Sequence, residues 1–279
     1  MDDYRAASLK GWSAVAPDWA ELADRIDRQL GPAAEWIMQA LALVPGERVL
    51  ELAGGPGTVS LLAARAVGPE GHVIYSDFAE PMVAAARERL ERERVTNVEY
   101  RVMDAEAMDV PDGSVDAVAC RMGFMLMADP AAAMREAGRV LAPGGRIALA
   151  VWAEAESNPW AVLPMRVVAS ELDTPPPSPD APSMWSLADP ARLRGALAQA
   201  GFDSIRIEAL DGTNDFDSMD QWTETNRRLA GPLRAVMANL EEEKRSAIEE
   251  RMREAVRPYE RPDGSISMPQ RMLAASARQ

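Results

Sequence analysis

A carboxylate followed by a glycine-rich turn is the feature of this 279-residue chain that points most directly to chemistry. Glu51 ends a short apolar run, and the sequence Gly54-Gly55-Pro56-Gly57 separates it from a segment with helical character. A tight turn at the start of a helix presents backbone N–H groups to a ligand. A carboxylate at the end of a buried strand is costly unless it is hydrogen-bonded, which favours a functional partner for Glu51.

Charged residues also end the next three apolar runs. Asp77 ends GHVIYSD, Asp104 ends NVEYRVMD and Arg121 ends SVDAVACR. These runs alternate with helical segments, a pattern that predicts an α/β fold with a doubly wound parallel sheet. The carboxyl ends of parallel strands meet at one edge of the sheet, so we expect Glu51 and these three residues to converge on one cleft.

The remaining elements follow from apolar spacing and from turn residues. A helix is predicted from Pro17 to Leu30, and a second over 33–43. Asp129 is the expected N-cap of the helix DPAAAMREAGRVL, and APGG is expected to form a turn before the strand RIALAVW. The rest of the chain is predicted to form a helix (NPWAVLPMRVVASEL), a proline-rich loop (DTPPPSPDAPSMW), a helix that Gly201 ends, a strand (DSIRIEAL), a helical insertion over about 218–256 broken at Gly231, and a last strand (RMLAASA).

Composition narrows the class of ligand. The formal charge of −14 and the pI near 4.7 disfavour a nucleic-acid partner, because phosphate binding depends on Lys and Arg. Cys120 is the only cysteine, which excludes an intrachain disulfide and a cysteine-based metal site. The start lacks a signal-peptide pattern and no run approaches 18 apolar residues, so we expect a soluble, cytoplasmic protein without a membrane span that binds a small molecule.

Two ligands fit the glycine turn, and the first is a nicotinamide or flavin dinucleotide. Gly55-x-Gly57-x-x-Ser60 is close to the dinucleotide fingerprint, and Asp77 follows at the distance of its ribose-binding acid. Pyrophosphate would then bind at the helix N-terminus, although Ser60 stands where the fingerprint has glycine or alanine. An NAD(P)-dependent oxidoreductase is therefore one alternative function.

The second ligand follows from a resemblance that covers four blocks between Arg48 and Trp152. The segment Glu51–Gly57 resembles the first motif of class I S-adenosylmethionine (SAM) methyltransferases, with Ala53 in place of its first glycine. The blocks YSDFAEPMVAAARERL, VMDAEAMDVPDGSVDAVACRMGF and LAPGGRIALAVW resemble the later motifs, most nearly those of the type-11, ubiquinone/menaquinone-methyltransferase-like group. The resemblance implies these cofactor contacts: Glu51, Ala53, Gly54, Gly55 and Gly57 in the first block, Asp77 to the ribose hydroxyls, Phe78 and Met82 beside the adenine, Asp104 near the adenine amine, Ala105 through its backbone N–H, Glu106, and Arg121.

The same resemblance implies a fold and a division of the chain into parts. The fold is a Rossmann-like sheet of seven strands, mostly parallel with the last strand antiparallel, plus a helical lid or insertion. The expected parts are an N-terminal helical segment (1–45), a SAM-binding core (46–153), the remaining core with the proline-rich loop (154–215), a helical cap (216–260) and a final core strand (261–279).

The chemistry of the cleft favours SAM over a dinucleotide. SAM has a sulfonium cation, an amino group and ribose hydroxyls but no phosphate, which suits a cleft with three carboxylates. We therefore expect an enzyme that transfers a methyl group from SAM, without a metal, to the oxygen, nitrogen or carbon of a small apolar or aromatic molecule. A non-catalytic SAM-binding module is the other alternative.

Contacts to the methyl acceptor are expected from the N-terminal segment, from the ends of the fourth and fifth strands, and from the loops and helices after them. Tryptophans in such positions either form the wall of an apolar site or anchor helices to the core, and Met82 is either an adenine contact or a core residue. His72, the only histidine, is expected away from the cleft, so no histidine is available as a general base. The helix NLEEEKRSAIEERMREAV is expected to be a lid or to face a second copy in a homodimer. The candidate acceptor contacts are Trp12, Arg121, Phe124, Met125, Trp152, Trp160, Trp185 and Trp222.

Overall fold

A computed structural model describes residues 2–173 and 183–279 of the chain. Most of the predicted proline-rich loop lies at 174–182, outside the described residues. The described residues form ten α-helices and seven β-strands: α1 (Asp2–Glu21), α2 (Ala23–Leu41), β1 (Arg48–Glu51), α3 (Thr58–Val67), β2 (His72–Asp77), α4 (Glu80–Arg92), β3 (Val98–Val102), β4 (Val115–Arg121), α5 (Pro130–Val140), β5 (Leu141–Trp152), α6 (Pro159–Glu171), α7 (Pro190–Gln199), β6 (Asp203–Phe216), α8 (Met219–Leu229), α9 (Gly231–Met237), α10 (Glu242–Val256) and β7 (Ile266–Arg278).

The seven strands form one sheet in the order β3-β2-β1-β4-β5-β7-β6. The pairs β3–β2, β2–β1, β1–β4 and β4–β5 are parallel. β7 is antiparallel to β5, from Trp152 opposite Met272 to Arg146 opposite Arg278. The strand order reverses between β1 and β4, which is where doubly wound sheets bind ligands. The predicted fold class, with its antiparallel last strand, is confirmed.

The central strands are buried because helices pack against them. α3 and α4 contact β1, β2 and β3, whereas α2 and α5 contact the β4–β5 side of the sheet. In β4, every residue except Asp116 is buried, as expected for a parallel strand in a covered sheet. None of the described helices has an apolar stretch long enough to cross a membrane.

The N-terminal helices differ from the prediction. Pro17 was expected near the start of a helix, but it lies inside α1. The boundary between α1 and α2 is at Leu22 instead. The two helices predicted over 17–30 and 33–43 are thus divided differently, and α2 continues through Pro32. Each internal proline removes a helical hydrogen bond, so tertiary packing must compensate. α1 packs against α4, and α2 buries an apolar face against β4 and β5.

The C-terminal strands are longer than predicted, and β5 contains an irregularity. APGG was expected to be a turn, but β5 already begins at Leu141. Leu141 pairs with Val115 and Arg146 pairs with Ala117, so the residues between them bulge out of register. Gly144 has a φ of +76° within this bulge. The other elements confirm their predicted types, including the side chain of Asp129, which caps α5 by accepting from the Ala132 N–H.

The chain divides into two compact units. The first contains the chain up to Ala153, a segment that ends at Leu210, and Met272–Gln279. The second contains a segment that begins at Glu154, and Asp211–Arg271. In the second unit, α6, α8, α9 and α10 pack around an apolar cluster centred on Trp222, Ile248 and Val256. The finer functional division predicted from the sequence stays a prediction.

Gly57 should resist substitution, because its φ is +80° and a Cβ there would lie 2.8 Å from Leu90 Cδ1 and 3.2 Å from Ala86 Cβ. We expect Gly57→Ala to lower the free energy of unfolding by about 1–3 kcal/mol through backbone strain and crowding. Gly11→Ala is the matched control, since Gly11 is an exposed position in α1 with open space around it. It should stabilise the protein by about 0.5–1 kcal/mol. Urea unfolding tests both, and shifts of the same sign would contradict this account.

Candidate functional site

The glycine turn between β1 and α3 is held against the end of β2. The Gly55 N–H donates to Asp77 Oδ2 at 3.1 Å, and the Tyr75 hydroxyl donates to the Gly55 carbonyl at 2.6 Å. The Gly54 N–H donates to the Ser76 carbonyl at 3.0 Å. The turn and the Asp77 carboxylate are therefore parts of one hydrogen-bonded arrangement.

Ala53 keeps the backbone conformation expected of a glycine. Its φ is +50°, in the left-handed region, which costs a residue with a Cβ roughly 1–2 kcal/mol. The Ala53 methyl group lies where a Cβ at Gly123 would be only 2.6 Å away. Gly123, which follows β4, therefore leaves room for the methyl group of Ala53, the residue that departs from the family motif.

Glu51 is almost completely buried, at 1% exposure. Its Oε2 accepts from the Ser60 N–H at 2.8 Å and from the Ser60 hydroxyl at 2.5 Å. Burial raises the pKa of Glu51 to about 7, although the Ser60 hydrogen bonds and the charge of Arg121 oppose this shift. Ser60, which does not match the dinucleotide fingerprint, is therefore the hydrogen-bond partner of Glu51.

Asp77 is also buried, and both of its oxygens are oriented by backbone donors. Oδ1 accepts from the Ala79 N–H at 3.0 Å and Oδ2 from Gly55, as described above. Burial raises the pKa of Asp77, and these N–H groups limit the increase. The N-cap position of α4 belongs to Ala79, so Asp77 is not the cap of that helix.

The loop after β3 positions the third predicted group. Asp104 is half-exposed, and its Oδ1 accepts from the Glu106 N–H at 2.9 Å. The Glu106 carboxylate is buried and accepts from the Ala128 N–H at 2.8 Å and from the Arg5 guanidinium. Ala105 is buried between them. Of these residues, Asp104 is the one whose carboxylate is accessible.

Helix α1 packs on the predicted adenine side of the site. Phe78 and Met82 belong to an apolar cluster with Trp12 and Trp19, whose rings meet edge to face at 5.2 Å. The Tyr4 hydroxyl donates to the Leu126 carbonyl at 2.9 Å near the start of the same helix. Met82 is thus buried in a core cluster, and its contact with adenine stays a prediction.

An ionic network that the sequence did not reveal lies at the end of β4. Asp27 accepts from Thr58 Oγ1 at 2.5 Å and from Arg89 Nη2 at 2.5 Å, and it pairs with Arg121 Nη1 at 3.4 Å. The Arg121 side chain is 4% exposed, and burial lowers its pKa while Asp27 and Glu51 oppose that effect. Asp27 is one of several acids on an amphipathic helix, and no local pattern distinguishes it from its neighbours.

In the first unit, hydrogen bonds connect some of the predicted acceptor contacts with each other and with the segment around Trp185. The Trp152 N–H donates to Met125 Sδ at 3.3 Å, and the Ser186 hydroxyl donates to the Met125 carbonyl at 2.7 Å. Phe124 and Met125 are buried, and Trp185 is half-buried next to Ser186 in the chain. Trp160 and Trp222 belong to the second unit, where the Trp160 indole donates to Asn158 Oδ1 at 3.2 Å.

Cys120 and His72 are not suited to proton abstraction at these strand ends, the first because of its pKa and the second because of its position. Burial raises the pKa of the Cys120 thiol to about 12. His72 lies at the start of β2, with Nε2 3.3 Å from Glu99 Oε2, at the opposite strand end from the glycine turn. Within the described ranges, no group of three or more His, Cys, Asp or Glu side chains is arranged to hold a metal ion.

The fold is that of a Rossmann-like protein with carboxylates at or just after the ends of neighbouring strands, and comparisons with known proteins identify the family. A family described as a methyltransferase domain matches residues 49–145. An arsenite methyltransferase of Halobacterium salinarum is 30% identical over 78% of this chain, which spans 52%, about half, of that enzyme. The ubiquinone/menaquinone biosynthesis C-methyltransferase UbiE of Teredinibacter turnerae is 30% identical over 60% of this chain and 72% of its own length.

Solved structures support the same fold. The YcgJ protein from Bacillus subtilis superposes with a TM-score of 0.60 at 17% identity, over 89% of this chain and 98% of that one. The chain belongs to the class I SAM-dependent methyltransferases, a family of enzymes. The oxidoreductase alternative is thereby set aside.

Removing the charge of Asp27 should destabilise the first unit, because it leaves the buried Arg121 guanidinium without its ion-pair partner. We expect Asp27→Asn to lower the free energy of unfolding by about 3 kcal/mol. Glu93→Gln is the control, since its pair with Arg65 is half-exposed and should contribute at most about 1 kcal/mol. Equal losses in urea unfolding of the two variants would show that the Asp27 network is not a buried ion pair.

The raised pKa of Glu51 predicts a dependence of stability on pH. The folded protein retains this proton up to about pH 7, whereas the unfolded chain loses it near the ordinary value of 4.5. The contribution to stability is therefore complete below about pH 4.5 and is lost as the pH rises to about 7, a change on the order of 3 kcal/mol.

Glu51→Gln should remove this part of the pH dependence, and the exposed Glu88→Gln in α4 should not. Unfolding free energies measured at intervals from pH 4.5 to 7.5 test the prediction. A Glu51→Gln profile parallel to that of the unmodified protein would refute it.

Proposed function

We propose that this chain transfers a methyl group from SAM to a small apolar or aromatic acceptor, at an oxygen, nitrogen or carbon atom. The observation that carries the proposal is that the glycine turn is hydrogen-bonded to Asp77, while Glu51, Asp77 and Asp104 lie at or just after the carboxyl ends of the neighbouring strands β1, β2 and β3. Residues 46–153 form the cofactor-binding core in this proposal, and α1 and α2 cover one side of it.

The donors and acceptors on these residues fit SAM. Asp77 is held by two N–H groups in an orientation that leaves its remaining lone pairs for the ribose hydroxyls. Asp104 offers an accessible carboxylate to the adenine amine. The absence of phosphate from SAM avoids repulsion by three acids. When bound, SAM supplies an electrophilic methyl group on a sulfonium, and the chain needs only to bind and orient it.

The acceptor side of the proposal rests on apolar residues after β4 and β5. Phe124 and Met125 after β4 and Trp152 at the end of β5 are buried apolar side chains, and Arg121 is paired with Asp27. These residues favour an uncharged ring over a highly polar acceptor. Trp160, Trp185 and Trp222 stay predictions as acceptor contacts.

Of the two substrate types named for the relatives, the chemistry of this chain favours the ring over arsenite. Trivalent arsenic is a soft centre, and thiolates are the soft ligands that proteins offer. Cys120 is the only cysteine in the sequence, and it is fully buried with a pKa raised to about 12. A quinone-like or phenolic ring is therefore the proposed acceptor class.

Cofactor binding is the first test. Calorimetric titration with S-adenosylhomocysteine and SAM should give micromolar dissociation constants, and Asp77→Ala should weaken both at least tenfold because it removes the ribose acceptor. Asp109→Ala, an exposed acid in the same unit, is the control and should leave both unchanged. Binding of NAD(H) instead of the adenosyl ligands would refute the proposal.

Methyl transfer is then measured as S-adenosylhomocysteine production with phenolic and quinol acceptors, and with arsenite plus thiol. Turnover only with arsenite would contradict the acceptor class. Tight SAM binding without turnover on any acceptor would favour the non-catalytic SAM-binding alternative.

A further inference from the structure

The peptide group between Gly55 and Pro56 is the part of the glycine turn that can be held in the fewest ways. Proline has no backbone N–H, so the Gly55 carbonyl is the only hydrogen-bonding group of this peptide. Gly55 has a φ of +52°, and glycine has more backbone freedom than any other residue. The orientation of this peptide therefore depends on the group that binds the Gly55 carbonyl.

Hydrogen bonds hold Gly55 on both sides. Its N–H donates to Asp77 Oδ2 at 3.1 Å, and its carbonyl accepts from the Tyr75 hydroxyl at 2.6 Å. The next carbonyl, that of Pro56, accepts from Arg89 Nη1 at 3.2 Å. Asp77 thus fixes the peptide before Gly55, and Tyr75 fixes the peptide after it.

Tyr75 is itself held firmly enough to orient the turn. It lies in β2, opposite Glu51 of β1 and Tyr100 of β3, and it is completely buried. A Cβ at Gly54 would lie 2.3 Å from Tyr75 Cε2, so this glycine leaves the space that the ring occupies. Burial, and then the charge of Asp77, hold the pKa of the Tyr75 hydroxyl well above its ordinary value. The hydroxyl therefore keeps its proton and remains a donor at neutral pH.

We propose that Tyr75 is a positioning residue for the cofactor, because its hydroxyl orders the Gly55 peptide, and with it the bond from Gly55 to Asp77, before the cofactor binds. This inference rests on the proposed function, in which Asp77 accepts from the ribose hydroxyls of SAM. Without the Tyr75 hydroxyl, the turn must be ordered at the moment of binding, and this entropic cost lowers the affinity. Tyr75 acts through Gly55 and Asp77 and is not a catalytic residue.

Tyr75→Phe tests the role of the hydroxyl, because it keeps the ring and removes one oxygen atom. Tyr100→Phe is the matched control, since Tyr100 is the neighbouring ring in β3, with its centroid 5.9 Å from that of Tyr75. Calorimetric titration of the full chain with S-adenosylhomocysteine should show a dissociation constant roughly threefold to tenfold higher in Tyr75→Phe. Tyr100→Phe should change it by less than about twofold, because the Gly55 carbonyl keeps its donor.

Two further measurements separate positioning of the turn from packing of the ring. In the free protein, the Gly55 amide should exchange its hydrogen at least about tenfold faster in Tyr75→Phe, because the loosened turn releases its bond to Asp77. The same release removes a donor from Asp77 and raises the pKa of that carboxyl further above its ordinary value. An ionised carboxylate is the better acceptor, so the loss of affinity should grow as the pH falls from about 8 to about 6.

Thermal unfolding shows whether each variant is folded. The proposal is overturned if Tyr75→Phe and Tyr100→Phe have equal effects on the affinity, or if the Gly55 amide exchanges at the same rate in both. It is also overturned if Tyr75→Phe has no thermal transition, since the hydroxyl would then be needed for folding.

The outcome for the proposed function can be read separately. If the unmodified chain does not bind S-adenosylhomocysteine, the proposed function fails together with this inference. If Asp77→Ala weakens binding and Tyr75→Phe does not, the proposed function stands and this inference alone is wrong.

Discussion

Burial of the Arg121 guanidinium at the end of β4 requires an anionic partner at the same place. Asp27 meets this requirement, and because it also binds Arg89 and Thr58, one carboxylate connects α2 with α3, α4 and β4. A buried cation without such a partner would cost several kcal/mol, so the position of α2 is closely tied to that of the strand end. Because α1 directly precedes α2 in the chain, holding α2 in place also restricts the position of α1 against Phe78 and Met82.

The same strand ends carry carboxylates whose ionisation is opposed by burial. The pKa of Glu51 is raised to about 7, and that of Asp77 is raised as well. A ligand with positive charge favours the ionised forms of these groups, whereas a pyrophosphate would oppose them further. This difference between a cationic ligand and a pyrophosphate is a physical reason to favour SAM over a dinucleotide. The glycine turn and the ribose-binding acid do not distinguish the two ligands, because both kinds of site contain them.

The sequence predicted the types and order of strands and helices well where local patterns determine them, as with α4 and α5. The roles of Asp77 and Asp104 in binding a cofactor stay predictions. Prediction from the sequence failed where tertiary packing overrides a local signal, as at Pro17 inside α1 and at the APGG bulge of β5. Asp27 could not be identified, because its role depends on Arg89 and Arg121, which are distant in sequence. Ser60 was recognised only as a mismatch, since its bond to Glu51 follows from the three-dimensional turn.

Proton handling limits the acceptors that the proposed function can use. Among the described residues, the Cys120 thiol has a pKa of about 12, burial keeps that of Tyr75 well above its ordinary value, and His72 lies at the far end of β2. Glu51 has a pKa in a useful range, but it is buried and bound to Ser60. Displacement at a sulfonium methyl group disperses charge, and alignment can supply about 7–11 kcal/mol of the barrier. The chain is therefore best suited to acceptors that need no strong base, such as the electron-rich carbon of an uncharged ring.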